Sequence, residues 1–131
     1  MEARGANRSK LAAILLGLCL VYWLVIFVAT HLPFSPIRAG WPKWLDKVEH
    51  GCAFAGLAIV LSAAGAIWIR DPWRLGVGVF GLAAIYGALD ELTQMLVPPR
   101  TADIRDWAAD ITGAAIGVSA FALWRYWRRR K

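Results

Sequence analysis

The chain alternates between long apolar stretches and short polar ones, and this pattern predicts its elements. Residues 11–30 (LAAILLGLCLVYWLVIFVAT) carry no ionisable side chain. At ~1.5 Å per helical residue they reach ~30 Å, the hydrocarbon thickness of a bilayer. A second apolar stretch runs over about 48–69, ending at Arg70-Asp71-Pro72. A third runs over about 75–97 and ends at Pro98-Pro99. A fourth runs over about 107–124, before an arginine-rich tail. Proline lacks an amide proton and clashes with the preceding turn, so it separates helices. The connections are short, so neighbouring helices are expected to be antiparallel. The prediction is an all-α, polytopic membrane protein: one domain over 1–131, built as a bundle of four transmembrane helices. Residues 1–10 and 125–131 form basic flanks.

A cleaved signal peptide is the competing reading of the first stretch, since Arg4, Arg8 and Lys10 precede it. Its hydrophobic region would span only ~7–15 residues and lead to a small-residue cleavage site. The 20-residue stretch without such a site favours a retained helix.

Composition agrees with this picture. Of the 131 residues 59% are hydrophobic, above the ~45–50% of soluble domains. The formal net charge of +6 admits two readings, a nucleic-acid binder or a membrane protein with a basic side. The distribution of charge decides. The N-terminus, the second loop (Arg70, Arg74) and the tail (Arg125, Arg128, Arg129, Arg130, Lys131) share one side and hold ten Lys and Arg. The other side holds five: Arg38, Lys43, Lys47, Arg100 and Arg105. The richer side is expected to be cytoplasmic, which places both termini inside. Acids sharpen the asymmetry. Glu2 and Asp71 lie inside, and the other seven lie outside. A basic run directly after an apolar span attracts anionic headgroups, so nucleic acid is not expected as a partner.

Tryptophans mark the boundaries, as aromatic residues favour the membrane interface. Trp41, Trp44 and Trp107 fall at outer ends, and Trp68, Trp73, Trp124 and Trp127 at inner ends. Only Trp23 lies deep in a span. Cys19 and Cys52 fall within spans and are expected as buried apolar residues, not a disulfide or metal pair. Gly76, Gly78 and Gly81 spell G-x-G-x-x-G, but a dinucleotide site needs a preceding strand, and here the glycines lie in an apolar helix. Close helix packing is the better account, as for Gly113 and Gly117, either within the chain or between copies.

The polar residues of the spans converge on the predicted outer side. Asp46, Lys47, Glu49 and His50 open the second helix, while Asp90, Glu91 and Gln94 close the third. Arg100, Asp103, Arg105, Asp106 and Asp110 fill the next loop and open the fourth. Asp46 and His50, Asp90 and Gln94, and Asp106 and Asp110 are each four apart, hence on one helix face. A charge as deep as Asp90 costs on the order of 2.5–3.5 kcal/mol in a bilayer, so such groups face an interior and find partners. The expected binding set is Asp46, Lys47, His50, Asp90, Glu91, Gln94, Arg100, Asp103, Asp106 and Asp110. A network that only fixes helix packing is the alternative. Seven acids and a histidine exceed what joining four helices requires.

These residues resemble a known family. Asp46-Lys47-x-x-His50 followed by Phe54 is similar to the D-K-x-x-H-x-x-x-[FY] signature of VanZ-like membrane proteins. Tyr86-Gly87-x-x-Asp90-Glu91-x-x-Gln94, with Pro99-Arg100, resembles their Y-G-x-x-D-E-x-x-Q-x-x-x-P-x-R. Asp103-x-x-Asp106-x-x-x-Asp110-x-x-Gly113 resembles D-x-x-D-x-x-x-N-x-x-G, with Asp110 where many members carry asparagine. The blocks cover about 46–117 in order. The resemblance implies a bacterial cytoplasmic-membrane protein of the cell envelope, and its founding member is associated with low-level teicoplanin resistance.

Three chemistries stay open. In the first, the outer pocket binds a lipid-linked or cell-wall molecule, or a partner protein, without catalysis. In the second, His50 acts as acid or base in a membrane hydrolase or transferase. Asp46 or a neighbouring carboxylate such as Asp90 or Glu91 orients it, and Arg100 clamps a phosphate. In the third, His50 with Asp90, Glu91, Asp106 and Asp110 holds a metal, while His31 is left in the first loop. Proton transport would require an oligomer of such small bundles. No cofactor is expected.

Overall fold

The structure, a computed structural model, describes residues 2–32, 42–98 and 100–131. Arg38, Trp41 and Pro99 lie outside the described residues, as do the side chains of Glu2, Arg4 and Lys43. The described residues form four helices and no strand: α1 (Glu2–His31), α2 (Lys43–Gly65), α3 (Pro72–Gln94) and α4 (Ile104–Arg128). Each contains a segment long and apolar enough to cross a membrane: Asn7–His31, Trp44–Gly65, Pro72–Gln94 and Ile104–Arg128.

All four helices stand where the apolar pattern placed them, but their ends are shifted. Apolar content marks what a bilayer solvates, whereas helix ends follow capping. Asp71, expected to help end the second helix, instead opens α3. Its carboxylate accepts from the backbone amides of Trp73 (2.8 Å) and Arg74 (2.9 Å), and Pro72 occupies the first helical turn, where no amide proton is missed. α2 has already ended at Gly65, and the amide of Ile69 bonds back to the Gly65 carbonyl at 2.8 Å. α3 ends at Gln94, three residues before the expected Val97, and tight turns carry the chain on. Asp103 caps α4 by accepting from the amide of Arg105 at 2.9 Å. Both basic flanks are largely helical, since α1 begins at Glu2 and α4 runs to Arg128.

α2 and α4 form the tightest pair. A Cβ on Gly113 would overlap the Gly51 carbonyl, and one on Gly117 would overlap that of Ala55. Small residues at this spacing let two backbones meet, which is how packing is gained where lipid removes the hydrophobic drive. The G-x-x-x-G of α4 therefore serves packing within the chain. The other glycine motif is split. A Cβ on Gly76 would sit 3.2 Å from Val118, whereas Gly78 and Gly81 face open space.

Phe54, Leu57, Ala58, Leu75, Val79, Ala83, Ala114 and Phe121 build the apolar core, with α3 packed on α4 and α2. α1 rests on α2 and lightly on α3, and among the described residues it contributes one buried side chain, Ile26. Most of its other large side chains, including Leu16, Leu20, Val21 and Leu24, are exposed, as suits a helix bathed in lipid, while Leu15, Tyr22 and Phe27 are half-buried. Cys52, expected to be buried, is exposed, and Cys19 is half-buried. Cys52 lies on the face of α2 turned away from the core residues Phe54 and Leu57.

The bundle has two chemically distinct ends. At one, Arg8 donates to the Ile67 carbonyl (2.9 Å) and Arg125 to that of Arg70 (3.0 Å). These contacts gather the start of α1, the α2–α3 turn and the end of α4. Trp68, Trp73, Trp124 and Trp127 are exposed in these segments. At the other end, α1 and α3 finish and α2 and α4 begin.

Candidate functional site

The polar residues meet at that second end. Antiparallel connectivity brings the first turns of α2 and α4 beside the last turns of α1 and α3. Residues that are 60 apart in sequence thereby become neighbours.

One half of the site lies between α2 and α4. The Lys47 ammonium bonds the Asp106 carboxylate, lies 3.1 Å from Asp103 Oδ2 and 3.7 Å from Asp46. One turn deeper, His50 Nδ1 lies 2.9 Å from Asp110 Oδ1, and both residues are buried. Of the neighbouring carboxylates, Asp110 is the one in hydrogen-bond contact with His50. The four-residue spacing does place Asp46 and His50 on one face, but α4 brings Asp110 closer. Asp103, outside the spans, has its carboxyl held below the usual range. The Arg105 amide is the main cause, and the Lys47 ammonium adds to it.

The other half lies between α1 and α3 and centres on Asp90. Its Oδ2 accepts from Gln94 Nε2 at 2.8 Å. Its Oδ1 lies 3.2 Å from the Tyr86 hydroxyl and 3.1 Å from that of Thr30, whose one proton can alternatively go to the Ile26 carbonyl at 3.0 Å. Neutral donors thus surround a carboxylate in the bundle interior, the arrangement that makes a buried acid tolerable. Glu91 and Arg100 join the halves. Glu91 Oε2 accepts from the Asp103 amide (2.8 Å), and Arg100 Nη1 donates to Gln94 Oε1 (2.8 Å). Eight residues of the expected binding set are joined in one network, through Lys47, Asp103, Glu91 and Gln94, and the His50–Asp110 pair stands beside it. Arg105 contributes its amide as the cap bond to Asp103; its side chain is exposed.

The sequence reading missed the share of α1. His31, placed in a loop, closes the last turn of α1. It stacks on Phe27 with ring centroids 4.0 Å apart, and its Nδ1 lies 3.8 Å from Asp90 Oδ1. Its Nε2 lies 2.9 Å from the Thr93 hydroxyl. Thr30, His31, Tyr86 and Thr93 thus belong to the site. The available signal was position: Thr30 and His31 end the first apolar stretch on the side where the other polar residues gather.

A cavity of about 300 Å³ opens between α1 and α2 beside this network. Thr30, Glu49, His50 and Arg100 supply its polar wall, and Tyr22, Ile26, Ala53 and Phe54 most of its apolar wall. Two triads have one donor atom from each residue within 4.8 Å of the others: Asp46, His50 and Asp106, and His50, Glu91 and Asp110. Asp90, an expected metal ligand, is in neither, because its oxygens are turned to Gln94, Tyr86 and Thr30.

A family model described as VanZ/LLP1 matches residues 11–125. The chain belongs to the VanZ/LLP1 family. The match includes α1, beyond the blocks at 46–117 that carried the resemblance. No curated protein and no solved structure matches the chain. The three VanZ-like blocks become one constellation in space, with α2 giving Asp46, Lys47 and His50, α3 giving Asp90, Glu91 and Gln94, and α4 giving Asp106 and Asp110. Their glycines also gain a reason. Gly113 admits α2, and a Cβ on Gly87 would sit 3.1 Å from Asp110 Oδ2 and 3.2 Å from Phe54.

Proposed function

We propose that this VanZ-like protein binds an amphiphilic, lipid-linked envelope molecule in the cavity between α1 and α2. In this reading the cavity faces the outer side of a bacterial cytoplasmic membrane, and both termini are inside. The protein acts in envelope homeostasis or in low-level glycopeptide resistance of the teicoplanin type, without turning the ligand over. The observation that carries the reading is the two-sided cavity wall. Arg100 and His50 suit an anionic headgroup, and Tyr22, Ile26, Ala53 and Phe54 suit the hydrocarbon that follows it. The excess of Lys and Arg at the other end supports the orientation.

The first test is topological. A reporter fused after Lys131 is expected to read inside, and a cysteine label at residue 98 outside. The second is binding. Purified protein in nanodiscs is expected to crosslink a photoreactive lipid phosphate at α1 and α2. Ala53→Trp, which fills the cavity, and Arg100→Ala should each reduce labelling at least tenfold. Unchanged labelling in both variants would overturn the reading. In cells lacking the protein, teicoplanin sensitivity should rise and be restored by the wild type but not by Arg100→Ala.

The buried His50–Asp110 pair favours a second reading. A histidine held at Nδ1 by a carboxylate, and lining a cavity, has the arrangement of a general base. A membrane hydrolase or transferase of lipid-linked substrates would use His50 in this way, oriented by Asp110. Turnover of a lipid-phosphate panel, abolished in His50→Gln, would establish it. A panel without turnover would leave binding alone.

A further inference from the structure

We infer that His50, Glu91 and Asp110 form a metal site for one divalent first-row transition cation, joining α2, α3 and α4. The inference stands apart from the lipid-binding reading and departs from the expectation of no cofactor.

The first observation is an orphaned atom. Asp110 is fully buried, at 0% exposure. Its Oδ1 meets His50 Nδ1, but its Oδ2 is buried with no hydrogen-bond partner. A buried carboxylate oxygen without a donor is costly, and such atoms call for a missing partner. Gly87 lets the backbone of α3 come close to this oxygen, since an added Cβ would lie 3.1 Å from it. Gly87 is one turn before Glu91, so the oxygen lies against the part of α3 that supplies the second carboxylate.

The second observation is a shortage of positive charge. Asp90, Glu91, Asp106 and Asp110 are all buried. Asp90 is satisfied by neutral donors, and Lys47 is committed to Asp106 and Asp103. Arg100 donates to Gln94. Among the described residues, no lysine or arginine forms an ion pair with Glu91 or Asp110. Among the described residues, His50 is the cationic group that acts on both. A divalent cation supplies the charge that these side chains lack.

The third observation is the geometry and type of the donors. One atom each from His50, Glu91 and Asp110 lies within 4.8 Å of the other two. Ligands at ~2.0–2.2 Å from a shared ion stand at most about 4.4 Å apart, so the three donors are close enough to draw in around one ion. An ion there would replace the proton shared across the 2.9 Å between His50 Nδ1 and Asp110 Oδ1 and, held by both carboxylate oxygens, would give Oδ2 its partner. One imidazole nitrogen with two carboxylates is a borderline donor set, suited to Zn²⁺ or Mn²⁺.

The test is metal binding by the full chain in detergent after chelator treatment. Zn²⁺ or Mn²⁺ is expected to bind at about one equivalent per chain and to raise Tm. Asp110→Asn keeps the shape and removes the charge, and His50→Gln removes the imidazole. Each should weaken binding at least tenfold, with helicity by circular dichroism unchanged. Asp46→Asn, outside the triad, should change affinity less. Wild-type protein that holds neither ion and shows no Tm shift overturns the inference. So does binding that is equally tight in Asp110→Asn and His50→Gln.

Discussion

His50 Nδ1 lies 2.9 Å from Asp110 Oδ1, and neither side chain reaches solvent to any extent that would hydrate a charge. This contact fastens the first turns of α2 to those of α4. Removing one partner strands the other, which typically costs about 3–5 kcal/mol in a buried pair, whereas removing both is often neutral. In chelator-treated protein, His50→Leu is therefore expected to lose most of that amount. The double variant His50→Leu/Asp110→Ala should recover the larger part of it. Unfolding in mixed micelles measures both. A single variant that costs under about 1 kcal/mol would show that the pair is not coupled.

The glycines give a contrast within one chain. Gly113→Ala and Gly117→Ala place a methyl group on the backbone of α2, so α2 and α4 must separate. Overpacking of this kind costs about 1–3 kcal/mol or more, and it should lower Tm sharply. Gly87→Ala crowds Asp110 Oδ2 and Phe54 by a smaller margin and should fall between. Gly78→Ala and Gly81→Ala meet nothing and should be neutral or stabilising by up to about 1 kcal/mol. Equal losses at Gly78 and Gly113 would contradict the packing described for α2 and α4.

The same contrast shows what a sequence can and cannot reveal. G-x-G-x-x-G in α3 and G-x-x-x-G in α4 look alike as text, but α4 turns both its glycines to a neighbour's backbone, whereas α3 turns only Gly76 to a side chain. Span number and order were legible because hydropathy reports what a bilayer solvates. The ends were not, because Asp71 and Asp103 set them through single side-chain caps inside polar runs. The α2–α3–α4 half of the site was legible from spacing, since its residues recur every four positions. Pairing was legible only in part: i, i+4 geometry put Asp46 near His50, and only the packing of α4 on α2 shows that Asp110 makes the hydrogen bond. His31 was missed because an apolar window has no rule for the polar residue that closes it.

Asp103 gives the acid dependence a defined sign. Its folded-state carboxyl is held below the ordinary value, first by the Arg105 amide and then by Lys47. A carboxyl depressed on folding contributes stability above its unfolded value, ~3.9, and loses it as pH falls through the folded value. Tm should therefore drop on acidification below about pH 4. In Asp103→Asn that drop should be shallower, since asparagine can still cap α4 but does not titrate. Because Asp103 is exposed the difference should be small and further reduced by salt. Wild type and variant with identical acid limbs would remove Asp103 from the account.

α1 is the helix least bound to the others, so its few polar contacts carry unusual weight. Thr30 and His31 reach Asp90 and Thr93 on α3, and the same end of α1 walls the cavity against α2. Interhelical hydrogen bonds in membranes are worth about 0.6–2 kcal/mol each, little beside the α2–α4 interface but large for a helix with one buried residue. Thr30→Val with His31→Ala is expected to free the end of α1 while leaving global unfolding nearly unchanged. Spin labels on α1 and α3 near residues 28 and 92 should then show a broadened distance distribution. Ligand access to the cavity should quicken in parallel, because α1 forms one of its walls. A distribution as narrow as the wild type's would mean that apolar contact at Ile26 and Tyr22, rather than the Thr30–Asp90 and His31–Thr93 contacts, holds α1 closed.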